Sequence, residues 1–163
     1  MTEKQTDYEI HPPRQRWTHL ALIVKDIEKT IAWYEKYTHL EVLSRNEDGQ
    51  GYGAWMADRE DAESPFVLVL AQFFEGMDPF APAKHGTLGP FAHIGIEVMA
   101  REDVDRLAAM GKEDGCLALG PTQMPAPVGY ICFLKDPDDN TIEFSYDQGV
   151  YETARKVWSS DAT

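Results

Sequence analysis

The sequence predicts an α+β fold in which one βαβββ unit is used twice, and three observations carry that prediction. The segment His19-Leu-Ala-Leu-Ile-Val24 returns as His93-Ile-Gly-Ile-Glu-Val98, an alternating apolar stretch opened each time by a histidine. Each copy is followed by a stretch of helical period and then by three short strand-like runs. A Pro- and Gly-rich stretch from Pro79 to Pro90 stands between them, with the composition of a linker.

The first copy opens with a strand from Trp17 to Val24. Side chains on a strand alternate faces, so His19 points away from the face of Leu20, Leu22 and Val24. Asp26 occupies an N-cap position, and Ile27, Thr30, Ile31 and Tyr34 follow at helical spacing. Strands are then expected at Glu41 to Ser44, around Tyr52 to Met56 after a turn at Asn46-Glu-Asp-Gly49, and at Phe66 to Gln72. The second copy repeats this order. Its first strand runs from His93 to Val98, and its helix lies within Arg101 to Gly111, with Val104, Leu107, Ala108 and Gly111 in period. Strands follow near Cys116 to Leu119, Tyr130 to Leu134 and Thr141 to Tyr146. Asp136-Pro-Asp-Asp-Asn140 has the residues of a hairpin turn. It leads into a strand whose Ile142, Phe144 and Tyr146 share one face while Thr141, Glu143 and Ser145 share the other. The organisation is therefore an extension over 1–16, units over 17–78 and 91–147 joined by a linker over 79–90, and a tail over 148–163. The tail, with Tyr151, Ala154, Arg155 and Trp158, suits a short amphipathic helix that covers the sheet or a dimer partner.

A chain of 163 residues with a net charge of −13 argues against nucleic acid as a partner, because phosphate binding needs a positive footprint. Scattered acidic clusters such as Asp58 to Glu63 and Glu113-Asp114 read as solubilising surface. No run approaches the roughly 18 apolar residues of a membrane span, so a soluble cytoplasmic protein is expected. Cys116 and Cys132 lack metal-type spacing and read as reduced thiols. His11, His39 and His85 have no matched partner and read as surface or loop residues.

The doubled unit, the histidine opening each copy and the Asp136-Pro-Asp-Asp-Asn-Thr-Ile-Glu143 strand entry resemble the vicinal oxygen chelate superfamily over about residues 17 to 147. That superfamily includes glyoxalase I, methylmalonyl-CoA epimerase, fosfomycin-resistance transferases, extradiol dioxygenases and bleomycin-binding proteins. The resemblance implies that the eight strands form a curved half-barrel cup with a divalent metal at its floor. It implies His19, His93 and Glu143 as ligands, with the fourth slot at Leu70 or, two residues on, at Gln72. Two imidazoles and one carboxylate suit Fe, Mn, Co, Ni or Zn with positions left open. The cup would be lined by Ala21 and Ile23, Gly95 and Glu97, Leu68 and Gln72, and Thr141 and Ser145. Its walls would come from Trp55 or the Tyr52/Met56 face, and from Phe133 or the Tyr130/Cys132 face. A mostly apolar pocket of this kind suits a small organic molecule.

The resemblance implies first a glyoxalase-like lyase or isomerase, with Glu143 as ligand and base and Glu97 as a second acid/base. Ile23 and Phe74 stand where many glyoxalases place residues that read glutathione, so another substrate is expected. The runner-up is an extradiol-type ring-cleaving dioxygenase with a His/His/Glu iron site. Thiol transfer of the fosfomycin type fits the ligand set but finds Ala21 in place of a hydroxyl residue. A metal-free drug-binding protein is the nonenzymatic alternative. A homodimer is expected, with the units paired within a chain or exchanged between chains.

Overall fold

The computed structural model describes residues 17–61, 66–82, 87–88 and 91–159, so His11, His85, the extension over 1–16 and part of the linker lie outside the described residues. The chain runs β1 (His19–Ile23), α1 (Ile27–Tyr37), β2 (Leu40–Glu47), β3 (Gly51–Asp58), a 3-10 turn (Arg59–Asp61) and β4 (Val67–Phe73). It continues β5 (Ile94–Glu97), α2 (Arg101–Glu113), β6 (Leu117–Gln123), β7 (Tyr130–Lys135), β8 (Thr141–Tyr146) and α3 (Val150–Ser159). The strands form two four-stranded sheets, β1-β4-β3-β2 and β5-β8-β7-β6. In each, the first strand lies parallel to the fourth and the other pairs are antiparallel. The predicted order of elements is therefore the observed one. Strands β2 and β6 run longer than their sequence patterns, each carrying a register shift. The first hairpin also turns later than Asn46, because Asp48 Oδ1 accepts from the N–H groups of Gln50 (2.7 Å) and Gly51 (3.2 Å).

Helix α1 starts where Asp26 caps it, Oδ1 accepting from Lys29 N at 3.1 Å. A second free N–H of the first turn, that of Ile27, donates to Gln72 Oε1 on β4 at 2.7 Å. The helix buries Ile27, Thr30, Ile31, Tyr34 and Tyr37. Helix α2 buries Val104, Leu107, Ala108 and Gly111. Gly111 is required by packing: a Cβ there would come within 2.4 Å of Leu134 Cδ2 on β7. Both helices and the strand residues they cover, including Leu22, Met56, Leu70, Cys132, Ile142 and Phe144, belong to one apolar core spanning both units. Each sheet thus has a helix face and an open face. Both cysteines are free thiols.

The Asp136–Asn140 turn joins the units. Asp136 and Asp138 are buried carboxylates, and burial demands partners for them. Asp138 accepts from Lys25 N at 3.0 Å and from Thr30 Oγ1 at 3.2 Å. Asp136 Oδ2 accepts from Tyr34 Oη at 3.1 Å, and its Oδ1 accepts from Asp138 N and Asn140 N, both at 2.9 Å. Further out, Tyr37 and Lys36 at the end of α1 bond Asp114 at the end of α2.

Burial, followed by the charge of Asp136 and the bond to it, pushes the Tyr34 hydroxyl well above its usual pKa. Burial and the bond to Asp114 raise Tyr37 likewise. Both hydroxyls stay protonated in the folded chain where the unfolded chain would ionise them. Stability should therefore hold up to about pH 10, the ordinary tyrosine value, and decline as pH rises beyond it. Urea unfolding at neutral pH should show Tyr34→Phe destabilised by about 1.5–3 kcal/mol, the usual worth of a bond to a charged group. The same variant should show a shallower alkaline decline.

Candidate functional site

Paired residues on neighbouring strands share a face, so the registers define matching rows on the open faces of the two sheets. In the first sheet Ala21, Val69, Trp55 and Ser44 stand side by side. In the second the row is Gly95, Glu143, Phe133 and Leu119. The units are related by a constant offset of 74 residues at the β1/β4 and β5/β8 pairs. Val24 N donates to Ala71 O at 2.9 Å, and Val98 N, 74 positions on, donates to Ser145 O at 2.8 Å. The counterpart of His93 is then His19, and the counterpart of Glu143 is Val69.

The structure brings His93 and Glu143 together, with Nε2 3.6 Å from Oε2. His93 lies just before β5 and Glu143 in the middle of β8. Glu143 is only 5% exposed, although it stands on the open face. The Phe133 ring contacts that of His93 at 5.8 Å between centroids, and Gln148 Nε2 donates to Glu143 Oε1 at 2.6 Å. His93 Nδ1 is 2.7 Å from the carbonyl oxygen of Phe91. A carbonyl can only accept, so Nδ1 carries the proton and the lone pair of a neutral imidazole sits on Nε2, the atom facing Glu143.

His19 is not part of this group within one chain. It is exposed at the start of β1, with Nδ1 2.9 Å from Thr18 Oγ1. Among the described residues no cluster of three or more His, Cys, Asp or Glu side chains is placed to hold a metal. One chain therefore supplies two of the three expected donors in one place.

Several expected cup residues face elsewhere. Leu70 pairs with Leu22 and is fully buried in the core, so the fourth slot belongs to Val69. Gln72 shares the helix face of Leu68 and Leu70 and is engaged by the first turn of α1. Tyr130 shares the face of Cys132 and Leu134, and its hydroxyl donates to Asp105 of α2 at 2.6 Å beneath the Arg101 guanidinium. Met56 likewise lies in the core. Strand parity places Ile23, Glu97, Trp55, Phe133, Thr141 and Ser145 on the open faces. Trp55 is 50% exposed, Glu97 is exposed, and the buried Ser145 hydroxyl has no hydrogen-bond partner among the described residues. Gln148 was not foreseen. It follows the last strand and reaches Glu143 only because the chain folds back there.

A cleft of about 690 Å³ lies between the units, lined by Leu20, Leu68, Ile96, Tyr146 and, from the tail helix, Tyr151 and Arg155. Neither His93 nor Glu143 lines it. The tail helix thus sits over this cleft.

Residues 16–144 match the sequence model of the Glyoxalase/Bleomycin resistance protein/Dioxygenase superfamily. The chain belongs to this superfamily. An uncharacterized protein of Pseudomonas aeruginosa is 35% identical over 131 residues, covering 80% of this chain and 88% of that protein. Solved structures of the same fold include the trypanothione-dependent glyoxalase I of Leishmania major (TM-score 0.62, 21% identity, 91% of this chain and 99% of that one). A variant of a Listeria monocytogenes fosfomycin resistance protein, complexed with Mn(II), aligns with TM-score 0.62 and 18% identity over 86% of this chain and 98% of that one. An antibiotic binding protein from Streptomyces aligns with TM-score 0.57 and 23% identity over 83% and 98%. At these identities the structural likeness concerns the fold. Superfamily members bind small molecules, many of them with a divalent metal, and no helix among the described residues is long and apolar enough to cross a membrane.

Gly95 stands beside Glu143, and a Cβ there would meet nothing within 4 Å. No neighbouring backbone requires the glycine. Gly95→Ala should fold and gain about 0.4–1 kcal/mol in urea unfolding through the lost freedom of the unfolded chain. A loss of stability would show that the open face is already filled.

Proposed function

We propose that the protein is a divalent-metal-dependent enzyme, a glyoxalase-like lyase or isomerase acting on a small organic carbonyl compound other than a glutathione adduct. One observation carries this reading: the His93 Nε2 lone pair and the Glu143 carboxylate face each other at 3.6 Å with the imidazole tautomer already fixed by Phe91. A proton on Nε2 would make the pair an ion pair, and a divalent cation bound by both groups would satisfy the two electron-rich atoms equally. Donors bound about 2.1 Å from one ion at ordinary angles stand roughly 3.0–3.4 Å apart, so a small closing motion suffices. The backbone bond to the far imidazole nitrogen is also the usual support of a metal-bound histidine.

His93, Glu143 and the His19 of a second copy would hold the ion, which when bound supplies Lewis acidity toward a substrate oxygen. Val69 offers no donor in the fourth slot, leaving room for substrate. Glu143 is the carboxylate placed to move a proton between adjacent carbons, and Glu97 on the same face is a second acid/base. Ile23 and Phe133 give the site apolar walls that exclude water. The homodimer follows from the same layout. His19 is on one open face and His93 with Glu143 on the other, and both faces expose apolar side chains such as Trp55 and Leu119. The apolar Val69 equally suits a ring-cleaving dioxygenase with iron on two histidines and one glutamate, and that is the second reading.

Protein purified without chelator should carry one equivalent of Mn, Fe, Co, Ni or Zn per chain, and His93→Ala and Glu143→Ala should each lose it while staying folded. Bound iron with substrate-dependent oxygen uptake would favour the dioxygenase, and absence of any metal would favour a metal-free binding protein. Pairing across two copies has its own test. Mixed dimers of His19→Ala and Glu143→Ala chains should regain one intact site per heterodimer, since one of the two sites then keeps all three donors. No recovery on mixing would mean that the donors pair within a chain.

A further inference from the structure

We propose that Gln148 is a positioning residue for Glu143, holding one carboxylate oxygen so that the other alone is presented toward His93. The proposal rests on the metal-site reading above and names a residue outside the expected ligand set. Gln148 is five residues beyond Glu143, and in a continuing strand it would stand roughly 16 Å away at about 3.3 Å per residue. Instead its side chain meets Glu143 at 2.6 Å. The chain reverses through two left-handed residues that flank it, Asp147 (φ 63°) and Gly149 (φ 65°). Aspartate and glycine are among the residues that accept that conformation most readily, so the local sequence itself permits the reversal.

The chemistry of the contact is specific. Carboxylate oxygens only accept, so the amide nitrogen of Gln148 must be the group that faces Glu143. A neutral donor steadies the carboxylate without cancelling its charge, as a lysine or arginine would. With Oε1 engaged by Gln148 and Oε2 3.6 Å from His93 Nε2, the side chain is set for single-oxygen ligation. The residue that does this lies two positions before α3, so the tail helix over the inter-unit cleft is tied to the site through one hydrogen bond.

Co(II) is the probe, because its visible absorption reports the number and geometry of its ligands. In the full-length protein, Gln148→Met keeps the side chain's length and removes the donor, and Gln148→Asn keeps the donor but withdraws it by one methylene. Both should weaken Co(II) binding by about 10–100-fold, the usual effect of losing a partner of a ligand. Both should also change the Co(II) spectrum as the second carboxylate oxygen becomes free to ligate, while the metal-free variants stay folded with only the modest drop in thermal midpoint that a lost bond to a carboxylate brings. If either folded variant binds Co(II) with native affinity and spectrum, the positioning role is wrong while the metal site stands. If the unmodified protein shows no Co(II) binding that His93→Ala abolishes, the metal reading and this proposal both fall.

Discussion

The Asp136–Asn140 turn is the constraint on which the rest of the molecule depends. It buries two carboxylates in an apolar core, which is tolerable only if every oxygen finds a donor. The turn itself satisfies both oxygens of Asp136, Oδ1 through its backbone and Oδ2 through Asn140 Nδ2 at 2.9 Å. Tyr34 is a second donor to Oδ2, while both oxygens of Asp138 take their donors from Lys25 and Thr30 of the first unit. Without the first unit Asp138 would be buried with no donor on either oxygen, so its bonds to Lys25 and Thr30 dock the units. Strand β8 begins at the next residue, Thr141. Seating the turn fixes the start of β8, and strand parity then sends Ile142 and Phe144 into the core and Glu143 onto the open face. The position of the candidate ligand is thus a consequence of how the two units are joined.

The junction uses the helix faces, and among the described residues the open faces stay exposed at Trp55 and Leu119, while Thr141, Glu143 and Ser145 of β8 are buried. That division explains an otherwise awkward surface, in which half-exposed Trp55 and the exposed Leu119 stand in the same rows as Val69 and Glu143. Apolar strand faces of this kind are rarely left to water unless something packs against them. It also bears on why the cleft of about 690 Å³ between the units lacks His93 and Glu143. The cleft runs along edge strand β5 beneath α3, taking Ile94, Ile96, Gly95 and Glu97 from it, whereas Glu143 stands one strand in, on β8.

Much of this was legible in the sequence, and the misreadings share a cause. β1 and β5 each alternate, so their histidines could be placed opposite the core by parity alone, and the capping residue Asp26 fixed the start of α1. Strand β4, Val67-Leu-Val-Leu-Ala-Gln-Phe73, is apolar on both faces, and β7 is nearly so. Periodicity cannot say which face of such a strand is which. For that reason the pattern puts Leu70 on the wrong side and leaves Phe133 and Tyr130 undecided, and the polarity of Gln72 serves the free N–H of Ile27 rather than the open face. The constant offset of 74 residues would have resolved β4, since it carries Glu143 back to Val69. Nothing comparable announces Gln148 or the Phe91 carbonyl: one depends on a chain reversal and the other on a backbone atom.

The duplication has therefore diverged at one informative place. Both units keep the histidine that opens the first strand, but only the second keeps a carboxylate on the fourth. If a site formed within one unit, the first would have a single donor and the second two, too few to hold an ion in either case. In the proposed dimer, pairing the open face of a first unit with that of a second would give every site the same three donors, one histidine from each unit and Glu143. Two-fold symmetry between copies then makes the two sites equivalent. The unequal units are in this sense complementary halves. In that proposed site Val69 would leave the fourth position open to a substrate oxygen.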